Sequence, residues 1–180
     1  MQQDMELIRE KIATTLEGVA GAGIVHRRER WARHQDKFRA LYEQDGAVKG
    51  WFVRRVRTRR RPTTYAVNEI QHSWVIKGFR SFNDEVGSEI QFDMLVEVIA
   101  EAFRADDTLG GTVISCTTPQ AAGIQLTEST PVMFAGVLCH GVELELTTIT
   151  LEGPQEADPV YLRELYLNGD LVASSGGGDV

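Results

Sequence analysis

Six arginines fall within eight positions: Arg54, Arg55, Arg57, Arg59, Arg60 and Arg61. A guanidinium offers a planar, rigid fork of N–H donors that fits a carboxylate or a phosphate equally well. Three uses suit such a run: a solvated, charged tip, a contact with an acidic protein surface, or a contact with nucleic-acid phosphates. A single exposed ion pair is worth only about 0–1 kcal/mol. A binding role therefore requires a multivalent array, which a symmetric ring supplies by repetition. Tyr65 is the aromatic residue near the run. Single-strand binders stack bases on several such rings, so this sparseness weakens the nucleic-acid use.

The other chemically capable residues are scattered. Cys139 and His140 are adjacent, and Cys116 lies on a nearby apolar segment. Neighbouring strand residues point to opposite faces, so Cys139 and His140 do not share one site. No C-x-x-C or H-x-x-x-H spacing occurs, and the two cysteines read as core fillers. His26, His34 and His72 stand alone, without triad or ligand spacing. The glycines at 18–23 follow a helical pattern instead of opening a helix after a strand, so they read as a helix end and turn. No catalytic residue, metal ligand or cofactor-binding residue is expected. An enzyme built on Cys139 or His140 remains an alternative, and it requires one of them to line a pocket.

The formal net charge of −7 is unevenly distributed over the 180 residues. Residues 26–61 carry 13 basic side chains against four acids, a local net of +9. Residues 81–180 carry 17 acids against Arg104 and Arg163, a local net of −15. Such a split speaks to partners more than to fold. An acidic protein surface, the acidic part of another copy, or nucleic acid would complement the basic segment. Self-association of this kind joins unlike surfaces head to tail. No apolar run approaches the roughly 20 residues that span a bilayer, so no membrane contact is expected. The N-terminal MQQDMELIREKI is charged and helix-like, unlike a secretory signal. Two cysteines imply no disulfide framework, in keeping with a reducing cytoplasm.

The elements that must position these residues follow from periodicity. Met5, Ile8, Ile12 and Leu16 form one helical stripe over 5–17, with Asp4 as its cap. A short strand is predicted over 24–28 and a second helix over 33–44, which Asp45-Gly46 breaks. Strands are predicted over 50–58 and 68–79, joined by a long basic loop, Arg59-Arg60-Arg61-Pro62-Thr63-Thr64. A strong helix is predicted over 84–106, capped by Asp84 or Ser81. Val86, Ile90, Met94 and Val98 together with Phe92, Leu95, Ile99 and Phe103 give it a broad apolar face. Strands follow at 112–117, 123–128, 133–135 and 136–151, the last with a bulge at Gly141. Two strands precede the main helix and several follow it. This order predicts an α+β fold, a mostly antiparallel sheet with helices packed on one face. Residues 153–180 read as an appendage: a linker to Pro159, a small hairpin turning at Asn168-Gly169, and a disordered tail.

Four phrases carry a family resemblance. RRERW (27–31), HSWVIKGF (72–79), AEAFRADDTLGGTVISC (100–116) and PVMFAGVLCHGVELELTTITL (131–151) are similar to segments of the small tail terminator, or tail-completion, proteins of tailed bacteriophages. The resemblance spans roughly residues 5–151, so 1–152 is expected to be the terminator-like domain and 153–180 its arm. It implies a virion protein, assembled in the host cytoplasm as a ring, commonly a hexamer. The ring caps the end of the tail tube, stops its polymerisation and offers a docking surface to the head connector. DNA would pass through the lumen without sequence-specific binding, and no enzymatic activity or cofactor is implied. Head–tail joining and neck proteins share much of the pattern and stand as the alternative, beside a nucleic-acid-binding module using Arg54–Arg61.

Overall fold

The computed structural model describes residues 2–64, 67–153, 164–167 and 170–174. In chain order the elements are α1 (Gln2–Glu17), β1 (Ile24–His26), α2 (Gln35–Ala40), β2 (Glu43–Gln44), β3 (Ala47–Thr64) and β4 (Val67–Ser81). A 3₁₀ turn (Asp84–Val86) and α3 (Ser88–Ala105) follow, then β5 (Thr117–Thr118), β6 (Ala121–Ala122), β7 (Gln125–Phe134), β8 (Val137–Glu152), β9 (Glu164–Leu167) and β10 (Asp170–Ser174). The main sheet has the order β1-β3-β4-β8-β7, with β2 pairing β3 at one end. All its pairs are antiparallel except β1–β3. The fold is α+β, as the element order implies.

Alternation along the three central strands builds two cores. Trp51 and Val53 of β3, Trp74 and Ile76 of β4, and Val142, Leu144 and Leu146 of β8 point to one face. There they meet Ile8, Ile12 and Leu16 of α1 and Phe92, Leu95, Val96, Ile99 and Phe103 of α3. Trp74 donates to Thr148 Oγ1 at 3.0 Å and Trp51 to the carbonyl of Ala22 at 2.9 Å, so neither indole N–H is orphaned. Gly78 lies opposite Trp51, and any Cβ there would run into the Trp51 ring. The reverse face carries a smaller cluster at one end: Tyr42, Val48, Phe52, Phe79 and Cys139, with Phe38 and Leu41 packed on it. The two long helices thus cover one face, and the short α2 closes one end of the other.

Several expected boundaries move. Asp4 falls inside α1 instead of capping it. The second helix is only Gln35–Ala40. Tyr42 ends it by turning inward, its hydroxyl accepting from Arg30 N–H at 3.0 Å. Asp45 and Gly46 adopt φ of 55° and 75° and form a two-residue turn that pairs Gln44 with Ala47. α3 begins four residues late, after the 3₁₀ turn, and its cap is Gly87 at φ 61°, not Asp84 or Ser81. The strand expected over 112–117 shrinks to one bridge, Ser115 to Ile149, and β5. Asp107 accounts for this: it accepts from Ser115 Oγ (2.6 Å), Thr117 Oγ1 (2.9 Å) and Cys116 N (3.0 Å), local bonds that replace a ladder. The strands expected at 123–128 and 133–135 are one, β7, which runs through Pro131 because it lies at the sheet edge, where a missing N–H costs no ladder bond. Gly141 is not a bulge, since β8 keeps register with both neighbours there. A Cβ at that position would lie 2.6 Å from Val132 Cγ1, so close strand packing is its reason.

In the C-terminal segment β9 and β10 pair antiparallel, with Leu167 opposite Asp170. The expected turn at Asn168-Gly169, the linker at 154–163 and the tail at 175–180 lie outside the described residues.

Candidate interaction surface

The six arginines are not split between a strand and a loop. β3 and β4 stay paired out to Thr64 and Val67, so Arg59, Arg60 and Arg61 are strand residues. Strand geometry then dictates which arginines share a face. Arg55 pairs with Trp74 while Arg57 pairs with Ser73, leaving Val56 as an extra, bulged residue. A bulge inverts the alternation beyond it. Arg54 lies on the reverse face before the bulge, opposite Val75. Arg57, Arg59 and Arg61 lie on that same face after it, opposite Ser73, Gln71 and Glu69. Arg55 and Arg60 turn to the side that carries α1 and α3, opposite Trp74 and Ile70.

On the reverse face the four arginines form a single row. Arg54 reaches Glu29 at 3.7 Å. Arg57, Arg59 and Arg61 are exposed and have no ion-pair partner among the described residues. Part of the remaining basic segment is neutralised within the chain. Arg27 grips Glu10 with Nε (2.9 Å) and Nη2 (2.7 Å), and its Nη1 contacts Glu17. That fork holds the Glu10 carboxyl below its ordinary range and ties the end of β1 to α1. Arg39 pairs with Glu43 at 3.0 Å and Lys49 with Asp45 at 4.0 Å, and outside that segment Lys77 pairs with Glu143 at 2.6 Å.

On the helical side, Arg55 and Arg60 enter an open cleft of about 940 Å³ between α1 and the outer halves of β3, β4 and β8. Arg9 of α1 joins them, its guanidinium carbon 5.9 Å from the Trp74 ring centroid. Arg9 bonds Glu6 at 3.3 Å, while its Nε is buried without a hydrogen-bond partner among the described residues. Arg60 lies 3.6 Å from Glu152. His72 lines the floor, 6% exposed, with Nδ1 at 2.9 Å from Thr58 Oγ1. Burial, then the charges of Arg55 and Arg60, push its pKa down, so the imidazole is held neutral. Neither Arg9 nor the His72–Thr58 pair is apparent from the sequence, because the bulge that turns Thr58 and Arg60 toward them leaves no local signal.

The acidic residues are equally ordered. Glu85, Glu89, Asp93, Glu97 and Glu101 recur at four-residue intervals through the 3₁₀ turn and α3, and all are exposed. Glu101 pairs with Arg104 at 2.7 Å, and the other four have no ion-pair partner among the described residues. Beside this row runs an apolar one: Val86, Ile90, Met94 and Val98, between 53% and 68% exposed. The broad apolar face expected of this helix is therefore two stripes. Phe92, Leu95, Ile99 and Phe103 are buried, and Val86, Ile90, Met94 and Val98 face solvent. The charge total of residues 81–180 does not reveal this row; its signal in the sequence is the i, i+4 spacing of the acids.

The cysteines and His140 sit elsewhere. Cys139 is fully buried in the aromatic cluster, which pushes its thiol up to about 11. Cys116 is buried too, and burial pushes it up to about 12. His140 points to the other face of β8, as adjacency requires. Its Nε2 is 2.8 Å from Ser88 Oγ, and the Phe82 ring stacks on it at 3.7 Å. Ser88 Oγ also accepts from Asn83 N–H at 2.9 Å, so this cluster fastens the start of α3 to β8. Neither Cys139 nor His140 lines the cleft beside α1. Among the described residues no group of three or more His, Cys, Asp or Glu is arranged to hold a metal ion. No helix among them is long and apolar enough to cross a membrane. Neither a protein-family model nor a curated protein matches this chain.

Proposed function

We propose that this chain is a ring-forming structural protein of the bacteriophage tail, acting as the tail terminators it resembles do. The observation that carries the proposal is the placement of its unneutralised charge. A row of arginines occupies the reverse face of the sheet, and a row of acids occupies the outward face of α3, on the opposite side of the molecule. Two unlike, complementary surfaces on opposite sides of one subunit favour a heterologous contact. Such a contact closes as a ring when the rotation per subunit divides a full turn.

In this role the work is surface complementarity, with no bond made or broken. The ring seats on the last annulus of the tail tube, presents no further copy of the tube's own growing surface, and so stops addition. Its far side receives the head connector, and DNA crosses the lumen without base-specific contacts.

Native mass spectrometry of the purified protein, alone and with its tail tube protein, tests this. The expected result is a closed oligomer, six subunits by the family resemblance, formed alone or on the tube. A protein that stays monomeric under both conditions would overturn it. Tight, salt-sensitive DNA binding by the monomer would instead favour the nucleic-acid use of the arginines.

A further inference from the structure

We infer that the arginine row of β3, Arg57, Arg59 and Arg61, docks on the acidic and apolar stripes of α3 in a second copy of this chain. The inference rests on the ring proposal above and names the two surfaces that would form its repeating contact.

Spacing supports the match. Residues at i, i+2 on one face of a strand stand about 6.6–6.8 Å apart, so Arg57 to Arg61 spans about 13 Å. Residues at i, i+4 on a helix stand about 6 Å apart along the axis, so Glu89 to Glu97 spans about 12 Å. Three guanidinium groups thus meet three carboxylates, Glu89, Asp93 and Glu97, in one register. Both rows are exposed and lack ion-pair partners among the described residues. Long aliphatic stems accompany the arginine heads. They would lie over Ile90, Met94 and Val98, the exposed apolar stripe beside the acids. That stripe is unexplained by the fold of one subunit, since α3 already buries Phe92, Leu95, Ile99 and Phe103 against the sheet.

The contact cannot form within one molecule. Arg57, Arg59 and Arg61 point away from the face that α3 covers, and the sheet lies between. The reverse face has acids of its own, but Glu143 already holds Lys77 at 2.6 Å, Glu69 accepts from Gln71 Nε2 at 2.8 Å, and Glu145 stands opposite Val75. The α3 row is the longer and unneutralised one.

Charge reversal followed by charge exchange tests the pairing. Two triple variants are needed, R57E/R59E/R61E and E89K/D93K/E97K, together with the six-fold variant that carries both. All six positions are exposed, and circular dichroism melts check that each variant folds. Native mass spectrometry with and without tail tube protein reads assembly. Each triple should raise the concentration needed for assembly by roughly tenfold or more, since like charges face each other. The six-fold variant should recover it, because Glu then meets Lys in every contact. Triples that assemble as the wild type does, or a six-fold variant no better than either triple, would overturn the inference while leaving the ring standing. A wild-type chain that never assembles would overturn the ring itself. A wild-type dimer that both triples dissociate would keep the contact and replace the ring with a reciprocal pair.

Discussion

The main sheet has two halves that obey different rules. In the half beneath α1 and α3, Trp51, Val53, Trp74, Ile76, Val142, Leu144 and Leu146 point inward and are closely packed, and the indole N–H groups find partners. In the half beyond the Val56 bulge, β3 and β4 stay paired but keep only Ile70 as a buried apolar inward residue. Thr58, Arg60 and His72 stand beside it, and the helical layer gives way to an open cleft. Backbone pairing alone extends a hairpin. What differs is whether side chains have anything to bury against, and the outer half leaves Arg57, Arg59 and Arg61 exposed.

The two halves should respond differently to substitution. The largest effect is expected at Trp74, which is fully buried and bonded to Thr148. Trp74→Ala should cost about 3–5 kcal/mol in urea unfolding, through cavity formation. Equal loss from a residue of the outer half would dissolve the distinction. Next comes Gly78→Ala, whose added methyl meets the Trp51 ring. Overpacking of this kind costs about 1–3 kcal/mol and should lower the melting temperature without abolishing the fold.

His72 gives the boundary between the halves a pH signature. Its pKa is lower in the folded chain than in the unfolded one. The unfolded state therefore binds the proton more readily, and the stabilisation is fully present above about pH 6.5, the ordinary histidine value. It is lost as pH falls from there toward the folded pKa. A urea titration between pH 7.5 and 5 should show that slope, and His72→Gln should flatten it. An unchanged slope would mean that the cleft floor is open enough to hydrate the ring. The smallest effect is expected from R57S/R59S/R61S in the monomer. Exposed positions without partners should each change stability by less than about 0.5 kcal/mol, and a larger loss would show the row to be part of the fold.

The inner half was legible in the sequence because its signals are local and redundant. The stripe Ile8, Ile12, Leu16 and the alternating pair Trp74, Ile76 each name one face, and all five residues are buried. Asn83 to Gly87 was less legible: it looks like the start of a helix, yet Gly87 at φ 61° delays α3. The segment 112–117 has strand composition, but the Asp107 carboxylate claims its hydrogen-bonding groups from outside it. Arg59 to Arg61 look like a loop by charge and by Pro62, yet they form a strand because β4 lies opposite them to Val67.

By itself the sequence determined the α+β class, the principal helices, the apolar faces of the central strands, and the existence of a basic segment and an acidic one. These follow from side-chain periodicity and composition, which act over a few residues. Only the tertiary structure decided which arginines stand together. One extra residue at Val56 inverts every side chain beyond it, and nothing in the residues themselves announces that the partner strand supplies only Trp74 where β3 supplies two. It also decided which face of α3 is buried, because a helix with two apolar stripes can bury either until the sheet beneath it selects one.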